Sequence, residues 1–178
     1  MVEPAFSFDG FSAVRMSSGD IPAIQELHER CGDYFLLAEG CDTRPTSAAE
    51  DLADLPPGKD LADKFLFGIR SGAGTLVGVL DLLRDYPDPG VWTIGLLMLD
   101  PAARGEGLGT RAYEAAREWV RAQGGHTTSL AVLEQNTPAE RFWRRRGFAE
   151  IARTPFVAAT GRTSGAIVMT QRVAPEPA

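Results

Sequence analysis

The segment RGEGLGT at positions 104–110 has the residue types and the spacing of an anion-binding loop. Its glycines, Gly105, Gly107 and Gly109, lack a Cβ atom and permit positive φ, so that successive backbone N–H groups can converge on one ligand. A helical pattern follows directly, and a helix N-terminus adds unpaired N–H groups and a partial positive charge. Arg104 can add a formal charge at the rim. These features together favour a bound diphosphate.

Spacing separates the three common loops that use this chemistry. The dinucleotide fingerprint GxGxxG fails, because Thr110 stands where its last glycine belongs. The Walker loop needs GK[ST], which the segment lacks. The pattern that fits is [RQ]xxGxG, formed by Arg104, Gly107 and Gly109 and preceded by an apolar run.

The elements that must position this loop alternate between strand and helix patterns, without internal repeats. Strands are predicted at 11–16, 64–70, 75–83, 91–100, 129–136, 148–158 and 165–173. Helices are predicted at 20–31, in a short stretch after Ser47, at 110–123 and at 138–146. The runs 64–70 and 75–83 form a predicted hairpin, and the rest of 32–63 is predicted to be loop.

Length and composition indicate one soluble domain. The chain has 178 residues, 44% hydrophobic and 24% charged, which predicts a single domain over 1–173 and a disordered tail at 174–178. A formal charge of −6 argues against nucleic acid as a partner. No apolar run is long enough for a membrane span, and the N-terminus lacks a secretory pattern, so we expect a cytoplasmic protein. The scattered cysteines and histidines predict no metal site.

Two motifs resemble those of the GCN5-related N-acetyltransferases. RGEGLGT after LLMLDPAA looks like the family's pyrophosphate-binding motif. NTPAERFWRRRGF at 136–148 is similar to the family's pattern of Asn, then Ala, then an aromatic pair, then GlyPhe. The resemblance is strong over 91–148. It implies an α/β (α+β) fold in which a mixed, mostly antiparallel sheet is flanked by helices, with central parallel strands at 91–100 and 129–136 that splay apart.

The same resemblance implies that acetyl-CoA lies in the gap between those two strands. The pantetheine amides would pair with strand backbone, the diphosphate would rest on the loop, and an asparagine would touch the cofactor arm. The residues implied in cofactor binding are Leu97, Met98, Leu99, Arg104, Gly105, Glu106, Gly107, Leu108, Gly109, Thr110, Asn136, Phe142 and Trp143. Arg141 or Arg145 would be available to the nucleotide phosphates.

The sequence departs from the family at Trp143, which stands where a tyrosine often protonates the departing thiolate. An indole N–H is no useful acid, but a thiol of pKa about 8.5 is already a tolerable leaving group. We expect a strand N–H near Leu97 or Met98 to polarise the thioester carbonyl, at a strand interruption that Gly95 helps to create. Leu97 is therefore a catalytic candidate through its backbone, and Trp143 is one through its position at the place of the family's tyrosine.

An acceptor amine must lose a proton before it attacks, because an alkylamine has a pKa of about 10.4. The candidate bases are the carboxylates Asp81, Glu39, Asp33 and Glu134. Asp81 is favoured because it lies within the apolar run GVLDLL, where desolvation would raise its pKa. A hydrogen-bonded or edge-facing Asp81 without a catalytic role is the alternative. Tyr34, Glu39 and Asp81 are the expected acceptor-binding residues.

The sequence thus predicts an N-acetyltransferase that moves an acetyl group from acetyl-CoA to a primary amine of a small molecule, by direct attack in a ternary complex. Three alternatives stay open: transfer of a longer acyl group, transfer to a hydroxyl or a protein N-terminus, and a non-catalytic acyl-CoA sensor. Homodimers are common in folds of this kind, and no feature of the sequence decides the oligomeric state.

Overall fold

The computed structural model of the chain describes residues 3–173, so the predicted tail at 174–178 lies outside the described residues. The strands are β1 Phe6–Phe8, β2 Phe11–Arg15, β3 Lys64–Ser71, β4 Leu76–Arg84, β5 Val91–Leu99, β6 Thr127–Leu133, β7 Ala149–Val157 and β8 Thr163–Arg172. The α-helices are α1 Ile21–Arg30, α2 Gly32–Glu39, α3 Ser47–Ala53, α4 Leu108–Ala122 and α5 Thr137–Arg145. None of the helices within 3–173 has the length and apolar character needed to cross a bilayer.

The described strands form one sheet in the order β1-β2-β3-β4-β5-β6-β8-β7. Neighbours in the sheet are antiparallel except β5 and β6, which run parallel. Their pairing covers only Val91–Ile94 against Thr127–Leu130, and beyond Ile94 the two strands separate. The predicted mixed sheet with splayed parallel central strands is therefore confirmed.

A β-bulge in β5 marks the place where the strands separate. Asp81 of β4 lies opposite Leu96, whereas the next residue, Leu82, lies opposite Ile94. Gly95 is consequently the extra residue, and a bulge bends its strand and disrupts the local ladder. The interruption predicted at Gly95 is confirmed.

Apolar side chains cover both faces of the central strands. On one face Leu80 and Trp92 pack with Tyr113 and Val120 of α4, while on the other Val79 belongs to the cluster that α1 and α2 cover. Because neighbouring strand residues point to opposite faces, β4 must be apolar along most of its length. This burial fixes the sheet between two helical layers.

The predicted boundaries are wrong in several places. The stretch Gly32–Glu39, predicted as loop, is the helix α2, and Gly32 begins this helix rather than simply ending the one before it. Phe35 and Ala38 are buried while Leu36 is exposed, so α2 lacks the one-sided apolar stripe that signals a helix in sequence. Strand β1 was not predicted, and the strand predicted at 129–136 is Thr127–Leu133.

The packing predicts a large stability loss for Leu80→Ala. Leu80 is fully buried, at 0% exposure, and truncation of a leucine in such a core costs about 2–5 kcal/mol in unfolding free energy. Leu61→Ala is the matched control, because Leu61 is 60% exposed and should change stability by less than about 0.5 kcal/mol. Urea denaturation measures both values, and equal losses would contradict the described core.

Candidate active site

The glycine loop and the start of α4 present a run of unpaired backbone amides. Gly105 and Gly107 have φ of 91° and 76°, values that an L side chain rarely adopts. Within residues 3–173 no backbone carbonyl and no capping side chain accepts from the N–H groups of 105–110. These amides border a cavity of about 470 Å³, which Leu99 and Phe142 close on the other side. The cavity has the donors that an anion requires.

Positive charge surrounds this cavity. Arg104, Arg145 and Arg146 line it, and the first turn of α4 carries no acidic residue to oppose an anion. The Arg104 guanidinium donates to both carboxylate oxygens of Asp33, at 2.5 and 3.2 Å, and to the Leu99 carbonyl at 2.9 Å. The ion pair raises the pKa of Arg104 and lowers that of Asp33. Arg104 therefore ties the loop to α2.

A slot of about 420 Å³ continues from the amide cavity along the second half of β5. Leu97, Met98 and Leu99 form one wall, and β6 does not pair with this part of the strand. Phe142 and Trp143 of α5 line the slot, and their rings meet edge to face with centroids 4.8 Å apart. The slot can therefore hold an extended chain against the free edge of β5.

Asn136 also lines the slot, and it has a structural task at the start of α5. The Asn136 side-chain oxygen accepts a hydrogen bond from the Ala139 N–H at 3.2 Å and so caps α5. The helix predicted at 138–146 thus begins one residue earlier, at Thr137. The Asn136 amide nitrogen keeps its donors for the slot.

The slot continues through the gap between β5 and β6 into a second large cavity. A narrow space of about 80 Å³ between the strands shares Leu97 and Trp143 with the slot and Gly95 with the second cavity. Tyr34 lines all three spaces. Burial, together with nearby Asp51 and Glu39, raises the pKa of Tyr34 to about 12, so its hydroxyl stays protonated at neutral pH. The two large cavities therefore meet at the bulge.

The second cavity, of about 610 Å³, is acidic. Carboxylates outnumber cations in its lining by five to two: Glu39, Glu50, Asp51, Asp54 and Asp81 against Arg44 and Lys64. Arg44 is held by Glu39 at 2.8 Å and by Glu50 at 2.5 Å. Hydrogen bonding to Arg44 lowers the pKa of Glu50 to about 2. The cavity is thus suited to a cationic ligand.

Asp81 lies at the inner end of this acidic cavity, beside Gly95. Its Oδ2 accepts from Lys64 Nζ at 2.8 Å, while its buried Oδ1 has no partner among the described residues. Burial raises the pKa of Asp81 despite the ammonium of Lys64. A Cβ atom placed on Gly95 would lie 2.5 Å from Asp81 Oδ2, so the carboxylate occupies the space that glycine leaves.

Asp51 and His28 are functional candidates that the sequence patterns did not reveal. Asp51 of α3 lines the cavity, and its Oδ2 lies 3.4 Å from Nε2 of the buried His28 of α1. Burial and the charge of Asp81 raise the pKa of Asp51 to about 7. Burial lowers the pKa of His28 to about 4, against a weaker opposing effect of Glu39. Only the packing of α1 on α3 unites the two residues.

The remaining base candidates lie away from the acidic cavity or are occupied. Asp33 lines the slot along β5 and is bound to Arg104, and Glu39 is bound to Arg44. Glu134 lies beyond the end of β6, where it accepts from Arg153 at 2.7 Å. Within 3–173 no group of three or more His, Cys, Asp and Glu side chains is arranged to hold a metal ion. Asp81 is thus the one predicted base that reaches the junction of the cavities.

Comparison with known proteins identifies the family. Residues 22–148 match the family described as Acetyltransferase (GNAT) family. The chain therefore belongs to the GNAT family of acetyltransferases. A curated 4-hydroxy-tetrahydrodipicolinate synthase from Idiomarina loihiensis is 43% identical over 42 residues, which are 24% of this chain and only 14% of that protein. So short a match says nothing about activity.

Solved structures of low sequence identity share the fold. An acetyltransferase from Thermus thermophilus has a TM-score of 0.73 and 21% identity, covering 92% of this chain and 97% of its own. The ribosomal-protein-S18-alanine N-acetyltransferase from Escherichia coli has a TM-score of 0.68 and 17% identity, with 94% and 96% covered. A spermidine N-acetyltransferase chimera that includes Vibrio cholerae sequence has a TM-score of 0.67 and 13% identity, with 93% and 96% covered.

The contact between Gly95 and Asp81 predicts that Gly95→Ala is destabilising. The new methyl group would displace the Asp81 carboxylate and weaken its ion pair with Lys64, at a cost of about 1–3 kcal/mol in unfolding free energy. Gly32→Ala is the control, because a Cβ there meets nothing within 4 Å. Chemical denaturation of both variants measures the difference, and a Gly95→Ala protein as stable as the wild type would refute the described contact.

Proposed function

We propose that this protein transfers an acetyl group from acetyl-CoA to a primary amine of a small molecule by direct attack in a ternary complex. One observation carries the proposal: unpaired loop amides open into a slot along unpaired strand backbone, and the slot leads at Gly95 into an acidic cavity. Membership of the acetyltransferase family agrees with it.

The residues of the cofactor side fit CoA. The N–H groups of 105–110 would hold the diphosphate, with Arg104 and Arg145 beside it. The backbone of Leu97–Leu99 would pair with the pantetheine amides, and Asn136 and Phe142 would flank the arm. When bound, acetyl-CoA supplies an acyl group that is already activated as a thioester.

The groups of the chain at the cavity junction would then serve the reaction. The free strand backbone near Leu97 would donate to the thioester carbonyl, because the parallel partner strand has separated there. Trp143 packs against Tyr113 and Phe148 and would shape the thiol end rather than donate a proton. Tyr34, which remains protonated, would donate a hydrogen bond to the departing sulfur.

The acidic cavity would bind the acceptor. An alkylammonium ion is attracted to a site in which carboxylates outnumber cations, and Tyr34 and Glu39 would form part of its wall. Asp81, which lies beside Gly95, would attract the ammonium group towards the junction. Lys64, bound to Asp81 Oδ2, would keep Asp81 in place.

An acetylation screen tests the proposal. Purified protein is given acetyl-CoA and a panel of polyamines, aminoglycosides, amino acids and peptides, and release of the CoA thiol is recorded. We expect release that depends on a small-molecule amine, with an N-acetyl product by mass spectrometry. Release only with peptides would indicate a protein N-terminus as acceptor. CoA binding without turnover across the panel would contradict the enzyme and favour a sensor.

A substitution in the loop tests the diphosphate site. Gly107→Val places a β-branched side chain at φ of 76° and should displace the converging amides, which raises the Kd for CoA at least about tenfold, or 1.4 kcal/mol. Gly74→Val is the matched control, because Gly74 has φ of 84° in the turn between β3 and β4 and lines neither the amide cavity nor the slot. Isothermal titration calorimetry compares the two variants, and equal affinities would contradict the assignment.

A further inference from the structure

A network of hydrogen bonds fixes which ring nitrogen of His28 carries the proton. The Gln25 amide nitrogen donates to the Arg44 carbonyl at 3.0 Å, so the Gln25 oxygen faces α3. That oxygen accepts from the Ala48 N–H and from the Ser47 hydroxyl, both at 3.2 Å. Because the hydroxyl proton of Ser47 is directed to Gln25, the Ser47 oxygen must accept from the neighbouring His28 Nδ1 at 2.9 Å.

The other nitrogen of His28 therefore carries a lone pair in the protein interior. His28 is 0% exposed, and its Nε2 has no hydrogen-bond partner among the described residues. Asp51 Oδ2 lies 3.4 Å from this nitrogen. A carboxylate and a lone pair at that distance repel each other, whereas a protonated carboxyl group would donate to Nε2. The contact between Asp51 and His28 therefore favours the protonated form of Asp51.

We propose that Asp51, positioned by His28, is the group that takes the proton from the acceptor amine. This inference rests on the proposed acetyl transfer and names a residue of the same cavity. Asp51 is 37% exposed and lines the acidic cavity, so its carboxylate can reach the amine directly or through one water. His28 cannot reach the amine itself, because it is fully buried.

The proton step is balanced within the cavity. An N–H bond of the alkylammonium ion breaks, an O–H bond forms on Asp51, and the freed nitrogen lone pair becomes the nucleophile. The new O–H donates to His28 Nε2, and the proton later leaves to solvent. Because burial and the charge of Asp81 raise the pKa of Asp51, this transfer is more favourable than it would be to an ordinary aspartate.

Several titratable or charged groups surround Asp51 and contribute to its affinity for a proton. They are His28 of α1, Tyr34 and Glu39 of α2, Asp54 after α3, Lys64 of β3 and Asp81 of β4. Burial raises the pKa of Asp51 most, the charges of Asp81, Asp54 and Glu39 raise it further, and only the charge of Lys64 lowers it. His28 Nε2 adds an effect that is separate from these charges, because it can accept a hydrogen bond from the protonated carboxyl group of Asp51.

The pH dependence of unfolding tests, without any assay of activity, whether Asp51 rather than His28 holds the proton of the pair in the folded protein. Between pH of about 4 and 6.5 the pair holds one proton when folded, on Asp51, and one when unfolded, on His28, so it adds no pH dependence. In Asp51→Asn only the unfolded state binds that proton, so the folding constant relative to wild type should rise with pH, by up to about tenfold per unit. In His28→Gln only the folded state binds it, and the ratio should fall.

Steady-state kinetics test the catalytic part of the proposal. We expect Asp51→Asn to lower kcat/KM for amine-dependent CoA release at least about 100-fold. His28→Gln should lower it less and displace the midpoint of the pH profile, which a purely structural histidine would not do. Asp88→Asn is the matched control, because Asp88 is exposed in the turn between β4 and β5 and should leave both measurements unchanged.

The outcomes separate this inference from the proposed function. If the wild type turns over and Asp51→Asn keeps its rate and pH profile, the role of Asp51 is refuted while acetyl transfer stands. If no amine is acetylated by the wild type, the proposed function fails, and the role of Asp51 as its proton acceptor fails with it; opposite stability slopes would then still show that folding moves the proton of the pair from His28 to Asp51. If the pH dependence of stability of both variants equals that of Asp88→Asn, the folded protein does not hold the proton on Asp51, and the inference is overturned. If His28→Gln fails to fold, the measurements on Asp51→Asn decide.

Discussion

The site depends on the separation of β5 and β6 beyond Ile94. Strand backbone inside a sheet is normally paired on both edges, so an unpaired edge next to a buried gap must find another partner. Here the bulge at Gly95 and the short parallel pairing leave the second half of β5 free on the side of β6. Every other element of the site is arranged along this free edge.

Charge divides the site into two unlike halves on either side of that gap. Backbone amides, a helix N-terminus and arginines surround the cavity at one end, whereas carboxylates predominate at the other. An anionic donor and a cationic acceptor would therefore enter from different sides and meet at Gly95. The helix α2 connects the halves, because Asp33 binds Arg104 at one end and Glu39 binds Arg44 at the other.

The two halves differ in how much the sequence could predict. The loop at 104–110 presents its amides through its backbone geometry, and the spacing of its glycines in the sequence reflects that geometry directly. The bulge at Gly95 and the desolvated Asp81 were predictable for a similar reason, since each breaks an otherwise apolar strand pattern. The boundaries of β6 and α5 were less accurate, because caps and strand ends depend on contacts that adjacent residues do not determine.

The acidic half could be predicted only in part, because side chains from distant segments form it: Tyr34, Glu39 and Asp81 were expected there, but Asp51 and His28 were not. His28 and Asp51 lie on different helices and become partners only when α1 packs on α3, with Ser47 and Gln25 fixing the tautomer. The segment of α2 was predicted as a loop, since its apolar residues point in several directions. Tyr34 was expected only at the acceptor, and the helix places it in the slot and in the gap between the strands as well. Tertiary packing decided these positions.

Hydrogen exchange of single backbone amides, with and without CoA, tests the central claim most directly. The amides of 105–110 lack acceptors in the described structure and should exchange rapidly in the free protein. The account predicts that CoA slows exchange at these amides and along the second half of β5, while the turn at Gly74 is unaffected. Tight binding of CoA that leaves both segments as fast as before would contradict it.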